Sequence, residues 1–332
     1  MIRINKNESP YRALTKDEIS TIAIETHFNK YADDEYEKLQ ESYAAFNGLD
    51  PSLVSFANGS DEWIQKAMII LGEGPALILD PDFVMYEEYA MQFKRPLIRV
   101  SANADMTFNY EEVFQKIREY RPSVFIFSQP NNPFGSMHPL EFVEKAAELM
   151  KEVKGYLIID EAYAEFIEEL PPYPEGDHVI RFRTLSKVYG LAGLRVGVAT
   201  STEKTMGVLN SIAHPYPLNT FSLNVAHYLL DQPERLSDFI NLNRELAKEL
   251  QLIFKEEAGE HINLLKSHTN FLFTYGKKAM ELGKYVEQNG FQPRMYPESD
   301  HPTLKEAVRY SIATTEQLDA LRQIVRKWSE SQ

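Results

Sequence analysis

The sequence predicts an α/β protein, with a mostly parallel sheet covered by helices and a smaller α+β domain after it. Three observations predict this. Short runs of consecutive apolar residues alternate with amphipathic helical stretches from about residue 54 to residue 200. Runs that are apolar at every position suit strands buried on both faces, as in parallel sheets. The runs are followed by polar clusters, N-G-S-D-E, Q-P-N-N-P, D-E-A-Y and T-L-S-K, and open α/β sheets bind ligands at that strand edge. Beyond residue 220 the pattern changes to long helical stretches with isolated strand candidates.

Taken in order, residues 1–20 read as an N-terminal arm carrying the turn-prone N-E-S-P-Y. An amphipathic pattern over 35–46 predicts a helix, ended by Asn47 and Gly48. Strand candidates at 54–57, 76–79, 97–100, 124–127 and 156–159 are separated by helical patterns at 61–71, 86–93, 110–119 and 139–150. Two more strands are predicted at 179–182 and 196–199. A large domain is therefore expected over 21–220. Helices at 221–230 and 234–258 lead into a small C-terminal domain, giving a second unit over 221–332. Its strands are expected at 271–275 and 308–312 and its helices at 280–288 and 315–328.

The whole-chain numbers exclude several classes. A chain of 332 residues with 43% hydrophobic and 25% charged residues can bury a large core. A net charge of −14 argues against a general nucleic-acid binder. The absence of cysteine removes disulfides, thiolate metal sites and a cysteine nucleophile. The first residues show no signal-peptide pattern and no apolar run is long enough to span a membrane. A cytoplasmic location with no membrane partner is the expectation.

Four clusters carry the chemistry. In Asn58–Glu62, a glycine and small polar residues open a helix after a strand, which suits either a phosphate-binding helix N-terminus or a plain N-cap. Pro130 to Pro133, with Gly135, suits either a loop whose prolines aim the asparagine side chains or a plain structural turn. Asp160 follows an apolar strand, where a poorly solvated carboxylate wants a cation; a helix N-cap is the other reading. Lys187 follows Thr184 and Ser186 and precedes Arg195 among apolar residues and glycines. An amine, a carboxylate, an asparagine and a phosphate cradle at strand ends are what a pyridoxal phosphate site needs, with the lysine as Schiff base and the acid on the ring nitrogen.

The ordered set N-E-S-P-Y, Y-A-D-D, N-G-S-D-E, P-D-F-V-M-Y, P-N-N-P-F-G, D-E-A-Y, T-L-S-K-x7-R and V-R-Y-S-I-A-T resembles the fold-type I, PLP-dependent aminotransferases of class I/II. Within them it looks most like the histidinol-phosphate aminotransferase subgroup. The resemblance implies the pyridoxal phosphate transferase fold for the large domain and, as catalytic residues, Lys187, Asp160 and Tyr163. It implies that Asn132 and Tyr163 hydrogen-bond the ring 3′-oxygen and that Phe83 stacks on the ring. Thr184, Ser186, Arg195 and the N–H groups of Ser60 and Asp61 would hold the phosphate. Tyr31, in Y-A-D where relatives have Y-P-D, would reach the cofactor of a neighbouring subunit in a homodimer. Arg309, Arg294 and Tyr11 would bind substrate. Phe134 stands where relatives carry a small residue and is expected to reshape the substrate pocket.

The implied reaction is a ping-pong transamination between histidinol phosphate and 2-oxoglutarate, in histidine biosynthesis. Other expectations from the same motifs are an aminotransferase for aromatic or other amino acids, a phospho-amino-acid decarboxylase, or a cofactor-binding regulator without catalysis.

Overall fold

The computed structural model describes all 332 residues. It begins with strand β1 (Ile2–Ile4) and helices α1 (Lys16–Glu25) and α2 (Glu35–Asn47). Thr15 and Glu18 form a capping box at the start of α1, and Gly48 ends α2 in the left-handed conformation at φ 65°. Strands and helices then alternate: β2 (Val54–Asn58), α3 (Ser60–Ile70), β3 (Ala76–Asp80), α4 (Met85–Gln92), β4 (Leu97–Ser101), α5 (Tyr110–Tyr120), β5 (Val124–Ser128), α6 (Leu140–Glu152) and β6 (Tyr156–Asp160). Next come β7 (Val179–Thr184), β8 (Val196–Thr200), α7 (Glu203–Asn210), α8 (Thr220–Leu230) and the long α9 (Pro233–Ala258). The final segment holds β9 (Asn263–Leu264), β10 (Phe271–Tyr275), α10 (Lys277–Gln288), β11 (Phe291–Met295), β12 (Ala307–Ser311) and α11 (Thr315–Ser329).

The predicted fold class is borne out. Seven strands form one sheet in the order β2-β8-β7-β6-β5-β3-β4. All neighbours are parallel except β8, which runs antiparallel to both β2 and β7. The continuous apolar runs follow from cover on both faces. In β5, Phe125 and Phe127 pack into the cluster under α5 and α6, while Val124 and Ile126 pack into the cluster under α3, α4 and α7. The alternation of side chains along a strand puts successive residues in different cores. Each such fully buried side chain contributes about 1.5–3 kcal/mol of transfer free energy.

A second sheet of five strands has the order β1-β11-β12-β10-β9 and packs with α9, α10 and α11 around Phe254, Leu272, Leu282 and Tyr310. β1 lies within the stretch read as an arm; it pairs parallel with β11, Ile2 opposite Phe291 and Ile4 opposite Pro293. The first turn of α1 also falls in that stretch. No helix is long and apolar enough to cross a membrane.

Candidate active site

Strand direction decides which side chains meet. β2 and β7 each run antiparallel to β8, so they point the same way as the parallel strands between β7 and β4. The ends of β2, β5, β6 and β7 therefore share one edge of the sheet. β8 starts at that edge, with Val196 opposite Asn58 and Gly197 opposite Thr184. This brings Arg195, which immediately precedes β8, to the cluster at Thr184, Ser186 and Lys187.

A cavity opens there. Ser60, Asp61, Phe83, Asn132, Asp160, Tyr163, Thr184, Ser186, Lys187 and Arg195 all line it, together with Ser128 and Ala162. The first ten were singled out from the sequence; Ser128 and Ala162 were not.

At one end, α3 presents its N-terminus. Its N-cap is Gly59 at φ 76°, and no side chain caps the helix. The plain N-cap reading, with Ser60 or Asp61 closing the helix, is therefore corrected. Leaving these first N–H groups uncapped suits an anion. The backbone packs tightly here: Gly59 N–H donates to the Arg195 carbonyl at 2.8 Å. A Cβ on Gly59 would sit 2.3 Å from Arg195 Nη2, and one on Gly197 would sit 2.1 Å from the Gly59 carbonyl carbon. Arg195 donates to Asp61 Oδ2 at 3.0 Å and to Ser186 Oγ at 3.4 Å, and Ser186 N–H donates to Thr184 Oγ1 at 3.1 Å.

At the other end lies Asp160. Tyr86 donates its hydroxyl proton to Oδ2 at 2.7 Å, and Ala162 N–H donates to Oδ1 at 3.2 Å. No helix starts at Asp160, so the helix N-cap reading is corrected: the carboxylate accepts only the Ala162 N–H of its own turn and lines the cavity. Burial pushes the Asp160 carboxyl up to about 6, against the pull of these two donors. It has no ion-pair partner, and neither has Lys187, whose Nζ lies 5.7 Å from the centre of the Tyr163 ring. An unpaired amine, a buried carboxylate short of a cation and an uncapped helix N-terminus beside an arginine are the donor set that pyridoxal phosphate requires.

The remaining sequence-predicted residues lie outside the lining of this cavity. Arg309, on β12, reaches toward it and donates to Asn132 Oδ1 at 2.6 Å and to the Asn5 carbonyl at 3.0 Å. Arg294, on β11, is its direct register partner and packs over Tyr296 at 5.4 Å. Tyr11 is not brought to the cavity: its hydroxyl accepts Thr315 N–H at 3.1 Å, at the start of α11. Tyr31 is 76% exposed and stacks on Tyr216 at 4.3 Å, away from the cavity. Phe134 does not line this cavity. Its ring is fully buried between Phe108 and Phe273, where the aromatic core accommodates it. Two polar residues outside the predicted set support the site. Asp82 accepts the Ser128 N–H at 3.0 Å, and Asn7 donates to the Tyr163 hydroxyl at 2.8 Å.

The family described as "Aminotransferase class I and II" matches residues 2–324. The chain belongs to that family. The histidinol-phosphate aminotransferase of Caldanaerobacter subterraneus subsp. tengcongensis is 32% identical over 97% of this chain and 93% of its own length. Among solved structures, the histidinol-phosphate aminotransferase of Sinorhizobium meliloti in complex with pyridoxal-5′-phosphate superposes with a TM-score of 0.85. It has 25% identity and covers 99% of this chain and 91% of its own. The L-threonine-O-3-phosphate decarboxylase of Porphyromonas gingivalis shares the fold at a TM-score of 0.76 and 19% identity, covering 99% of this chain and 100% of its own. The protein is thus a class I/II aminotransferase with pyridoxal 5′-phosphate as its cofactor.

Proposed function

We propose that this aminotransferase takes histidinol phosphate as amino donor and 2-oxoglutarate as acceptor, in a ping-pong reaction, and acts as a homodimer in the cytoplasm. One observation carries the substrate reading. Arg294 and Arg309 stand at directly opposed positions of neighbouring strands, so both side chains leave the same face of the sheet. Neither guanidinium pairs with a carboxylate, and Nε of Arg309 is buried without a partner. Two like charges side by side call for a compact dianion, and planar guanidinium groups suit phosphate oxygens. The hydroxyl of Tyr296, buried and unpartnered beside Arg294, offers a further donor to the same group. Histidinol phosphate carries such a dianion and no carboxylate.

The cofactor supplies an electron sink that stabilises negative charge on the carbon losing its proton. The residues of this chain would hold and assist it as follows. Thr184, Ser186, Arg195 and the N–H groups of Ser60 and Asp61 would bind the phosphate. Asp160 would keep the ring nitrogen protonated; a cation there relieves the cost of burying its charge. Asn132 and Tyr163 would donate to the ring oxygen, and Phe83 would cover one ring face. Lys187 would attach the cofactor covalently, then, once released, use Nζ to take a proton from the substrate and return it at the neighbouring position. Tyr31, exposed on this subunit, would complete the site of its partner.

The test compares kcat/KM for histidinol phosphate and for histidinol. The phosphorylated substrate should be favoured by at least about 100-fold, the worth of two charge-assisted contacts. Equal turnover of the two would remove the case for a phosphate at Arg294 and Arg309.

A further inference from the structure

We infer that Asn7 is a positioning residue for transamination: its side-chain amide donates to the Tyr163 hydroxyl and so turns the Tyr163 proton toward the cofactor. The inference rests on the reading above that Tyr163 donates to the cofactor ring oxygen.

The direction of this hydrogen bond follows from the rest of the network. Asn7 is 2% exposed and sits at φ 57°, a left-handed conformation that asparagine tolerates better than most residues. Its backbone N–H donates to Ser311 Oγ at 2.9 Å, and the Ser311 hydroxyl donates to Asn7 Oδ1 at 2.8 Å. The Asn7 carbonyl accepts from Asn270 Nδ2 at 2.9 Å. Ser311 is buried and its hydroxyl proton has no acceptor in the chain other than the Asn7 side-chain oxygen, so the other end of the Asn7 amide is its NH₂ group. That group faces Tyr163 at 2.8 Å and donates to the phenol oxygen. The Tyr163 hydroxyl makes no other hydrogen bond within the chain, and Tyr163 lines the cavity. With one lone pair engaged by Asn7, its own proton is left for an acceptor in the cavity.

A donor to the cofactor ring oxygen favours the deprotonated state of the lysine–cofactor linkage. Turning that donor away should raise the pH at which the visible absorbance of the loaded enzyme changes. The aspartate side chain has the shape of asparagine and can still accept from Ser311, but it cannot donate to Tyr163. It would draw the Tyr163 proton to itself.

The experiment is a pH titration of the visible absorbance of the loaded enzyme for the parent, Tyr163→Phe, Asn7→Ala, Asn7→Asp and each Asn7 variant combined with Tyr163→Phe. Melting of the cofactor-free proteins reports whether each variant folds. Tyr163→Phe should move the midpoint upward by about 1 pH unit, Asn7→Asp by about as much and Asn7→Ala by about half a unit. The Asn7→Ala shift should vanish in the Tyr163→Phe background. The Asn7→Asp shift should shrink by at least about half there, leaving only the direct effect of the new charge. If Asn7→Ala does not fold, Asn7→Asp decides by the same comparison. Shifts of the same size with and without the Tyr163 hydroxyl would overturn the inference, as would no shift from either Asn7 variant when Tyr163→Phe moves the midpoint. No shift from Tyr163→Phe itself would overturn the underlying reading of Tyr163, and the inference with it.

Discussion

Arg309 donates to the side-chain oxygen of Asn132 at 2.6 Å, which joins the five-stranded sheet to the loop that lines the cofactor cavity. The same guanidinium is held by the Asn5 carbonyl at 3.0 Å. Two of its faces are therefore committed to positioning, and the proposed substrate anion would be met by the rest of the fork. Lysine cannot make these contacts together, because it offers a single point of charge. Arg309→Lys should raise KM for histidinol phosphate by at least about tenfold with a smaller loss in kcat. Steady-state kinetics measure this, and an unchanged KM would place the substrate phosphate elsewhere.

Asp160 links function to pH-dependent stability. Burial raises its carboxyl from 3.8 to about 6 in the cofactor-free protein, so the folded state binds this proton more tightly than the unfolded chain. Its favourable contribution is complete below about pH 4 and is lost as pH rises through about 6. Asp160→Asn removes that dependence. The cofactor-free variant should be more stable than the cofactor-free parent at pH 8 by about 1–3 kcal/mol, and the difference should disappear near pH 4. Urea melts across this range check the sign. On the role proposed for Asp160, the same variant should lose most of its transamination activity, because the ring nitrogen would lose its charged partner.

The proposed phosphate end of the cavity depends on the absence of a side chain at Gly59. At φ 76°, with an added Cβ 2.3 Å from Arg195 Nη2, alanine both strains the backbone and displaces the arginine. Gly59→Ala should weaken pyridoxal phosphate binding by at least about tenfold, the worth of one charged hydrogen bond. Equilibrium absorbance titration of the cofactor-free protein measures it. Unaltered affinity would show that Arg195 is not a phosphate ligand.

Tyr31 does not line the cavity of its own chain and stacks, largely exposed, on Tyr216. If it serves the neighbouring subunit, two inactive variants should repair each other. Mixing Tyr31→Ala with Lys187→Ala and allowing subunits to exchange should restore about a quarter of the parent activity, since half the dimers are then mixed and each has one intact site. No recovery despite demonstrated exchange would argue that each site uses residues of one chain only.

The sheet and its ligand edge were legible because they rest on local pattern. Phe125 and Phe127 face one core and Val124 and Ile126 the other, which writes an unbroken apolar run into the sequence. The polar residues at the ends of such runs then mark the edge where Asp160, Thr184 and Lys187 converge. Elements without a period were not legible. β1 has only three residues, and β11 contains Pro293, which reads against a strand even though Ile4 lies opposite it. The pairing of Asn7 with Tyr163 spans 156 positions, and no local spacing encodes it. Asn7 stands in N-E-S-P-Y, the stretch in which Tyr11 drew attention; the fold places Asn7 against the site and sends Tyr11 to α11. Phe134 stands where the resembling motif has a small residue, and its ring is placed by Phe108 and Phe273, which no local pattern pairs with it.

The most direct measurement is the half-reaction of the loaded enzyme with a single amino donor and no oxo acid. Histidinol phosphate should convert the visible absorbance of the lysine-bound cofactor to that of its aminated form in the parent. It should produce no such conversion in Lys187→Ala, which lacks the amine proposed to move the proton. An absorbance left unchanged by histidinol phosphate but converted by aromatic amino acids would contradict the proposed substrate, and conversion by Lys187→Ala at the parent rate would contradict the proposed site.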